Sequence, residues 1–207
     1  MLRSVVLETG RRERKKAETR AALARAAMRL ALERGVENVT TEAIAEAADV
    51  APRTFRNYFS GKEEAIVAEL ADGMQTIGAL LRARPADEPL WDSLRYALTH
   101  LGSLPPQWLA ELAVKVRMIR SNGALLSSQL ALFERIGEEF AAIIAERTGT
   151  NVHTDLYPRL TSAVVTTTLR IGFFTWLDGD GRLALGDVLA DAVSQVRAGL
   201  PEPEVRS

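Results

Sequence analysis

Apolar residues recur at three- and four-residue spacing along most of the chain, and no alternating run is long enough to predict a strand. The first helical pattern spans residues 15–34, with Leu23, Ala27, Leu30 and Ala31 on one face and Gly35 where a left-handed stop belongs. Thr40 or Thr41 can cap a second, short helix that carries Glu42 in its first turn and turns Ile44, Ala45 and Ala48 inward. Pro52 suits the first turn of a third helix ending near Phe59, and a fourth runs over about 62–84. "RARPADEPL" then breaks the pattern with two prolines, which predicts a boundary between head and body. Five further helices follow, at roughly 87–101, 107–119, 124–148, 154–177 and 185–198. Their separators are "SLPPQ", "RSNGA", "TGTN" and "LDGDGR". The pattern predicts an all-α chain in two parts: a three-helix domain at 15–62 with its connecting helix over 62–84, then a larger helical domain at 85–200. Residues 1–14 are expected to form a flexible basic arm and 201–207 a disordered tail.

The segment 154–177 is apolar on two sides. Leu160, Ala163, Val164, Thr167, Ile171 and Phe174 fall on one, and Val165, Leu169, Gly172 and Trp176 on nearly the opposite one. Such a helix must be covered twice. The next segment offers a single stripe of Leu185, Val188, Leu189, Ala192 and Val196. Pairing these last two groups across a two-fold axis predicts a four-helix dimer interface, leaving Ile171 and its neighbours to the subunit core or a pocket.

Charge divides the chain as the helices do. The net charge is −1, but residues 1–62 hold 13 Lys/Arg against 8 Asp/Glu, while residues 63–207 hold 13 against 19. A head at +5 on a body at −6 points to a polyanionic partner for the head alone. The absence of cysteine excludes disulfides, thiol catalysis and thiolate metal sites. No run of about 18 apolar residues suggests a membrane span, and the start turns charged too soon for a signal peptide, so a cytoplasmic protein is expected.

The residues offer little to an enzyme. His100 and His153 are the only histidines and have no spaced ligand partners, and there is no phosphate loop or nucleophile elbow. "DGDGR" begins like a calcium loop at Asp178 and Asp180. However, Arg182, Leu183 and Leu189 fall on the ligand at loop position five, the required glycine and the closing glutamate, so it reads as a turn. No catalytic residue, cofactor or metal is expected.

The chemistry concentrates in "TTEAIAEAADVAPRTFRNYFSGKEE". Helix, short turn and helix match a helix-turn-helix, with Val50 filling the turn and Phe55 and Phe59 anchoring the second helix. That leaves Arg53, Thr54, Arg56, Asn57 and Tyr58 on its outer surface. Arg pairs with guanine edges and Asn with adenine edges, while Thr and Tyr hydroxyls suit phosphate oxygens. Lys62 follows "SG" at a helix start, where backbone N–H groups attract phosphate. "RRERKK" (residues 11–16) is either an arm for a neighbouring phosphate or groove, or a solvated helix start.

The order of the apolar helix ending at Gly35, then Thr40, Ile44-Ala45, Ala48, Val50, Thr54, Tyr58-Phe59 and Lys62-Glu63, resembles the DNA-binding domain of the tetracycline-repressor (TetR) family of transcriptional regulators over about residues 15–70. The resemblance implies a homodimer with one helix-turn-helix per subunit and a helical body that binds a small-molecule effector and dimerises. It assigns Thr40, Thr54, Tyr58 and Lys62 to phosphate and Arg53, Arg56 and Asn57 to bases. Three residues depart from the family pattern: Asp49 replaces a common glycine, Ala51 a frequent capping serine, and Ala31 a frequent aromatic. Residues 115–177 are similar to TetR-type bodies associated with acyl-CoA-like ligands. Trp91, Tyr96, His100, Trp108, Met118, Phe133, Arg170 and Phe174 are the candidate ligand contacts. Arg170 borders the apolar stripe of its helix and calls for either a local carboxylate or an acidic ligand group. These features predict a repressor on a palindromic operator. The rival is a helical small-molecule-binding protein or enzyme whose basic head serves another partner.

Overall fold

The structure, a computed structural model, describes residues 2–179 and 183–202, and within these the side chains of all but 2–9, 11 and 72. It is 78% helical, with no strand among the described residues. The helices are α1 (Leu2–Arg34), α2 (Thr41–Ala47), α3 (Pro52–Phe55), α4 (Lys62–Ala68), α5 (Ala71–Arg82), α6 (Leu90–Thr99), α7 (Pro106–Arg120), α8 (Gly123–Thr148), α9 (Leu156–Asp178) and α10 (Leu185–Arg197). The remaining parts of the "DGDGR" turn (Asp180, Arg182) and of the tail (203–207) lie outside the described residues.

Two compact units emerge, and their boundary differs from the expected one. The first comprises Met1–Asp72 with Lys115–Leu132, the second Gly73–Val114 with Phe133–Ser207. The prolines of "RARPADEPL" therefore mark a loop inside the second unit. The predicted 62–84 helix is two helices, with the chain turning at Glu69 and Leu70. The expected arm at 1–14 is instead the start of α1. Its charge-rich sequence lacks a proline, and Arg14 reaches Glu18 at helical spacing (4.0 Å).

The first unit is built around Leu23, Ala27 and Met28 of α1, Ile44 and Ala45 of α2, Phe55 of α3 and Ile66 of α4, each at most 1% exposed. Gly35 ends α1 at φ 79°, and its N–H bonds to the Ala31 carbonyl at 3.0 Å. Asp49 adopts φ 55° in the turn between α2 and α3, the conformation that the family's glycine adopts without strain. Thr40 caps α2 by accepting from the Ala43 N–H at 3.1 Å. Ala51, at the equivalent place before α3, provides no side-chain cap.

The second unit depends on an arginine that the sequence did not single out. Arg147, near the end of α8, donates to the carbonyls of Leu81 (3.2 Å), Arg84 (3.1 Å), Pro85 (2.9 Å) and Glu88 (3.4 Å), and to Ser93 Oγ (2.9 Å). One guanidinium thus fastens the α5–α6 loop, satisfying carbonyls left over at the end of α5. Arg84 and Ser93 both bond the Glu88 carboxylate in the same loop. On the other side, α10 packs against α6, α9 and the 3₁₀ turn His100–Ser103. A Cβ on Gly102 would lie 2.3 Å from the Gly186 backbone, so this crossing admits no side chain. By length and composition α9 is apolar enough to cross a membrane, but half of its most apolar stretch is buried within the protein, as in a core helix.

Two stability predictions follow from these contacts. Ala51→Ser supplies the missing cap of α3 and should stabilise the first unit by about 1 kcal/mol in urea unfolding. The Glu88 carboxyl is lowered from 4.5 to about 2, first by its hydrogen bond from Arg84 and then by that from Ser93. Its contribution is therefore present above about pH 4.5 and lost as pH falls through about 2. Glu88→Gln should lower the melting temperature at neutral pH, with the difference from the parent chain narrowing across that acid window.

Candidate nucleic-acid interface and effector body

The recognition segment is shorter than its sequence pattern predicts. Only Pro52–Phe55 is α-helical; beyond it, Asn57 N–H bonds Thr54 O (3.1 Å) and Tyr58 N–H bonds Phe55 O (2.9 Å), the tighter three-residue closure. An uncapped start and only two turns of length explain the tightening. Phe55 and Phe59 anchor the segment, with ring centres 5.7 Å apart and both rings buried. Arg20 of α1 lies 4.7 Å from the Phe59 ring centre and covers it with a cation–π contact.

With those anchors inward, Arg53, Arg56 and Asn57 are exposed and Thr54 and Tyr58 half-buried. Thr40 is exposed as well. Its hydroxyl accepts from Ala43 N–H and keeps its own proton for an outside acceptor. Lys62 differs from the expectation, because its half-buried ammonium donates to the Val36 carbonyl at 2.9 Å and lies 3.5 Å from that of Glu37. It closes the end of the 3₁₀ turn Val36–Asn38. Before the start of α4, Glu64 accepts from the Ser60 N–H and Oγ, both at 2.9 Å. The chain's own carboxylate answers the helix dipole there.

The expected effector contacts do not all fall in one unit. Met118 belongs to the first, whereas Trp91, Tyr96, His100, Trp108, Phe133, Arg170 and Phe174 belong to the second. Tyr96 is 46% exposed, with Arg84 4.1 Å from its ring centre and His100 stacked at 6.4 Å. Trp108 is 37% exposed, and Trp91, His100, Phe133, Arg170 and Phe174 are half-buried. Arg170 lies 5.9 Å from the ring centre of Phe174, one helical turn on. Buried hydroxyls on α9 are satisfied locally: Thr166 and Thr168 bond carbonyls one turn back, and Ser162 bonds the Gly137 carbonyl of α8 at 2.6 Å.

The expected dimer face requires correction. Val165, Leu169 and Gly172, with Leu185, Val188 and Leu189 of α10, are buried within the single chain, and Trp176, Ala192 and Val196 are half-buried. The cause is the close crossing of α9 and α10: a Cβ on Gly172 would lie 2.6 Å from Leu189 Cδ2. A residue such as Leu169, with no exposed surface, has none to offer a partner. The side left uncovered is the other one. It runs Leu156, Leu160, Ala163, Thr167 and Ile171, with Leu156 75%, Leu160 54% and Ile171 51% exposed.

The comparisons with known proteins agree with this architecture. Residues 23–69 match the family described as bacterial regulatory proteins, tetR family, and residues 88–201 match the MftR C-terminal domain. The chain is 32% identical over 173 residues to the HTH-type transcriptional regulator TcmR of Streptomyces glaucescens, covering 81% of this chain and 76% of that protein. Two solved structures share the fold. FadR of Thermus thermophilus, a repressor in complex with lauroyl-CoA, is 22% identical at a TM-score of 0.53, covering 91% of this chain and 98% of that one. FadR of Bacillus subtilis, in complex with stearoyl-CoA, is 20% identical at a TM-score of 0.54, covering 87% and 98%. A helix-turn-helix with exposed Arg53, Arg56 and Asn57, joined to a helical second unit and matched by both family descriptions, makes this chain a member of the TetR family of transcriptional regulators.

Proposed function

We propose that the protein is a homodimeric, cytoplasmic repressor that occupies a palindromic operator and is released by a small hydrophobic, acyl-CoA-like effector. The observation that carries the DNA reading is the outer surface of residues 52–58, where Arg53, Arg56 and Asn57 are exposed above two buried phenylalanines. In this reading Arg53, Arg56 and Asn57 meet base edges, and Thr40, Thr54 and Tyr58 hold phosphates. Lys62 acts chiefly by bracing the turn before α2. The acyl-CoA complexes of the two FadR proteins that share this fold support the effector class. Effector binding in the second unit favours a spacing of the two heads that no longer fits adjacent half-sites, which is a shift between pre-existing states.

The uncovered side of α9 supports the dimer. Leu156, Leu160, Ala163, Thr167 and Ile171 form one continuous stripe at helical spacing, and a two-fold axis lets the same stripe of a second copy cover it.

Two sets of variants test this reading. On a library of duplex sites, Tyr58→Phe should weaken binding to all sequences alike. Arg56→Ala and Asn57→Ala should each alter preference at particular bases by about 1–3 kcal/mol. Unchanged preference in both would remove these two residues from base readout. For the dimer, Ile171→Glu should yield a folded monomer with collapsed operator affinity, because two half-sites are no longer engaged together. Leu169→Glu should instead unfold the second unit, since it buries a charge without a partner. Sedimentation with circular dichroism separates the two; an Ile171→Glu protein that remains a tight dimer rejects this face.

A further inference from the structure

A recess lies in the first unit, lined by none of the helix-turn-helix surface residues and none of the residues expected to meet an effector. It is an open cleft of about 280 Å³. One wall is a stripe of α1 (Arg25, Met28, Arg29, Leu32 and Glu33), and the others are Glu69 just after α4 and Lys115 of α7. Leu32, 41% exposed, supplies the apolar surface, with the buried Met28 beneath it.

The charges of this cleft are incompletely matched. Lys115 Nζ lies 2.9 Å from Glu69 Oε1, with both side chains about four-fifths buried. Arg29 lies 3.5 Å from Glu33. That leaves Arg25 exposed and without an ion-pair or hydrogen-bond partner among the described residues, so the lining carries a net charge of +1. The second oxygen of Glu69, Oε2, is buried and also lacks a hydrogen-bond partner. A buried carboxylate oxygen without a donor is costly, and an orphan acceptor at a cleft is a place where a ligand donor gains most.

We propose that this cleft is a binding site for a small amphipathic monoanion: a carboxylate for Arg25 and Lys115, an apolar ring or short chain that lies on Leu32 above the buried Met28, and a hydroxyl that donates to Glu69 Oε2 once the carboxylate has drawn Lys115 from Glu69. Each part of that ligand answers a group on the cleft wall, and none of the residues belongs to the DNA surface or to the effector contacts of the second unit. A bound carboxylate competes with Glu69 for the Lys115 ammonium, so occupancy loosens the bridge between α4 and α7. The site is independent of the acyl-CoA-like effector and of the operator reading.

The test uses the full chain and no DNA. Met28 is one of 4 methionines, so its methyl group gives a resolvable carbon-13 NMR signal, assigned by Met28→Leu. The probe is 4-hydroxybenzoate, which carries a carboxylate, a ring and a hydroxyl. It should shift the Met28 methyl signal saturably. Benzoate, lacking the donor, should bind more weakly, and neutral 4-hydroxybenzamide should leave the signal in place. Arg25→Gln, an exposed substitution that leaves the core untouched, should weaken 4-hydroxybenzoate by about tenfold, the scale of one lost charge-assisted bond. A Met28 signal that stays fixed up to the solubility limit of the probe overturns the proposal. So does one that moves equally with the amide, with benzoate or in Arg25→Gln.

Discussion

Everything in the second unit is arranged around one constraint: α9 is apolar on both sides and its backbone can be covered by its own chain on only one of them. The covered side is set by close packing. Gly172 lets Leu189 of α10 approach closer than any Cβ would permit, and Val165 and Leu169 are sealed in beside it. The opposite side then keeps Leu156, Leu160 and Ile171 in water, a contiguous apolar stripe of the kind that marks an association surface. The proposed dimerisation then follows from how the subunit core closes. The glycine crossing inside the subunit decides which face remains for a partner.

The first unit answers a different demand, that of presenting polar side chains on a very short helix. Four α-helical residues without a side-chain cap have little stability of their own. Phe55, Phe59 and the overlying Arg20 hold the segment by tertiary contact, while Lys62 braces the preceding 3₁₀ turn through its carbonyls. The strained Asp49 and uncapped Ala51 on either side of the turn leave room for improvement without touching a groove-facing group. A head of modest local stability suits a regulator whose DNA-bound state must be reversible.

Much of this was legible in the sequence, and what was not shares a cause. Most helix positions, Gly35, the Pro52 start and the outward Arg53, Arg56 and Asn57 follow from local spacing, because their causes lie within a few residues, whereas the break of the 62–84 helix at Glu69 and Leu70 did not show. The roles of Arg147 and Lys62 did not show, since their main partners are backbone carbonyls 59–66 and 25–26 residues away, which no side-chain pattern advertises. Two equal apolar faces likewise do not say which is inner; only the fit of Gly172 against Leu189 decides it. The unit boundary was hidden because α7 and α8 are continuous helices whose residues divide between the two units.

The central claim, that a second copy covers the outer stripe of α9, is open to a direct chemical measurement because the chain has no cysteine of its own. Single cysteines placed at Leu160, Thr167 and Ile171 can be oxidised and the products resolved by mass. A disulfide forms only when the two Cα atoms come within about 7 Å, so each cysteine reports where the helices cross. The account predicts that at least one of the three yields a covalent dimer in high yield that still binds DNA, while Leu169→Cys yields none. A non-covalent dimer in which all three outer cysteines stay free while Leu169→Cys links would contradict it.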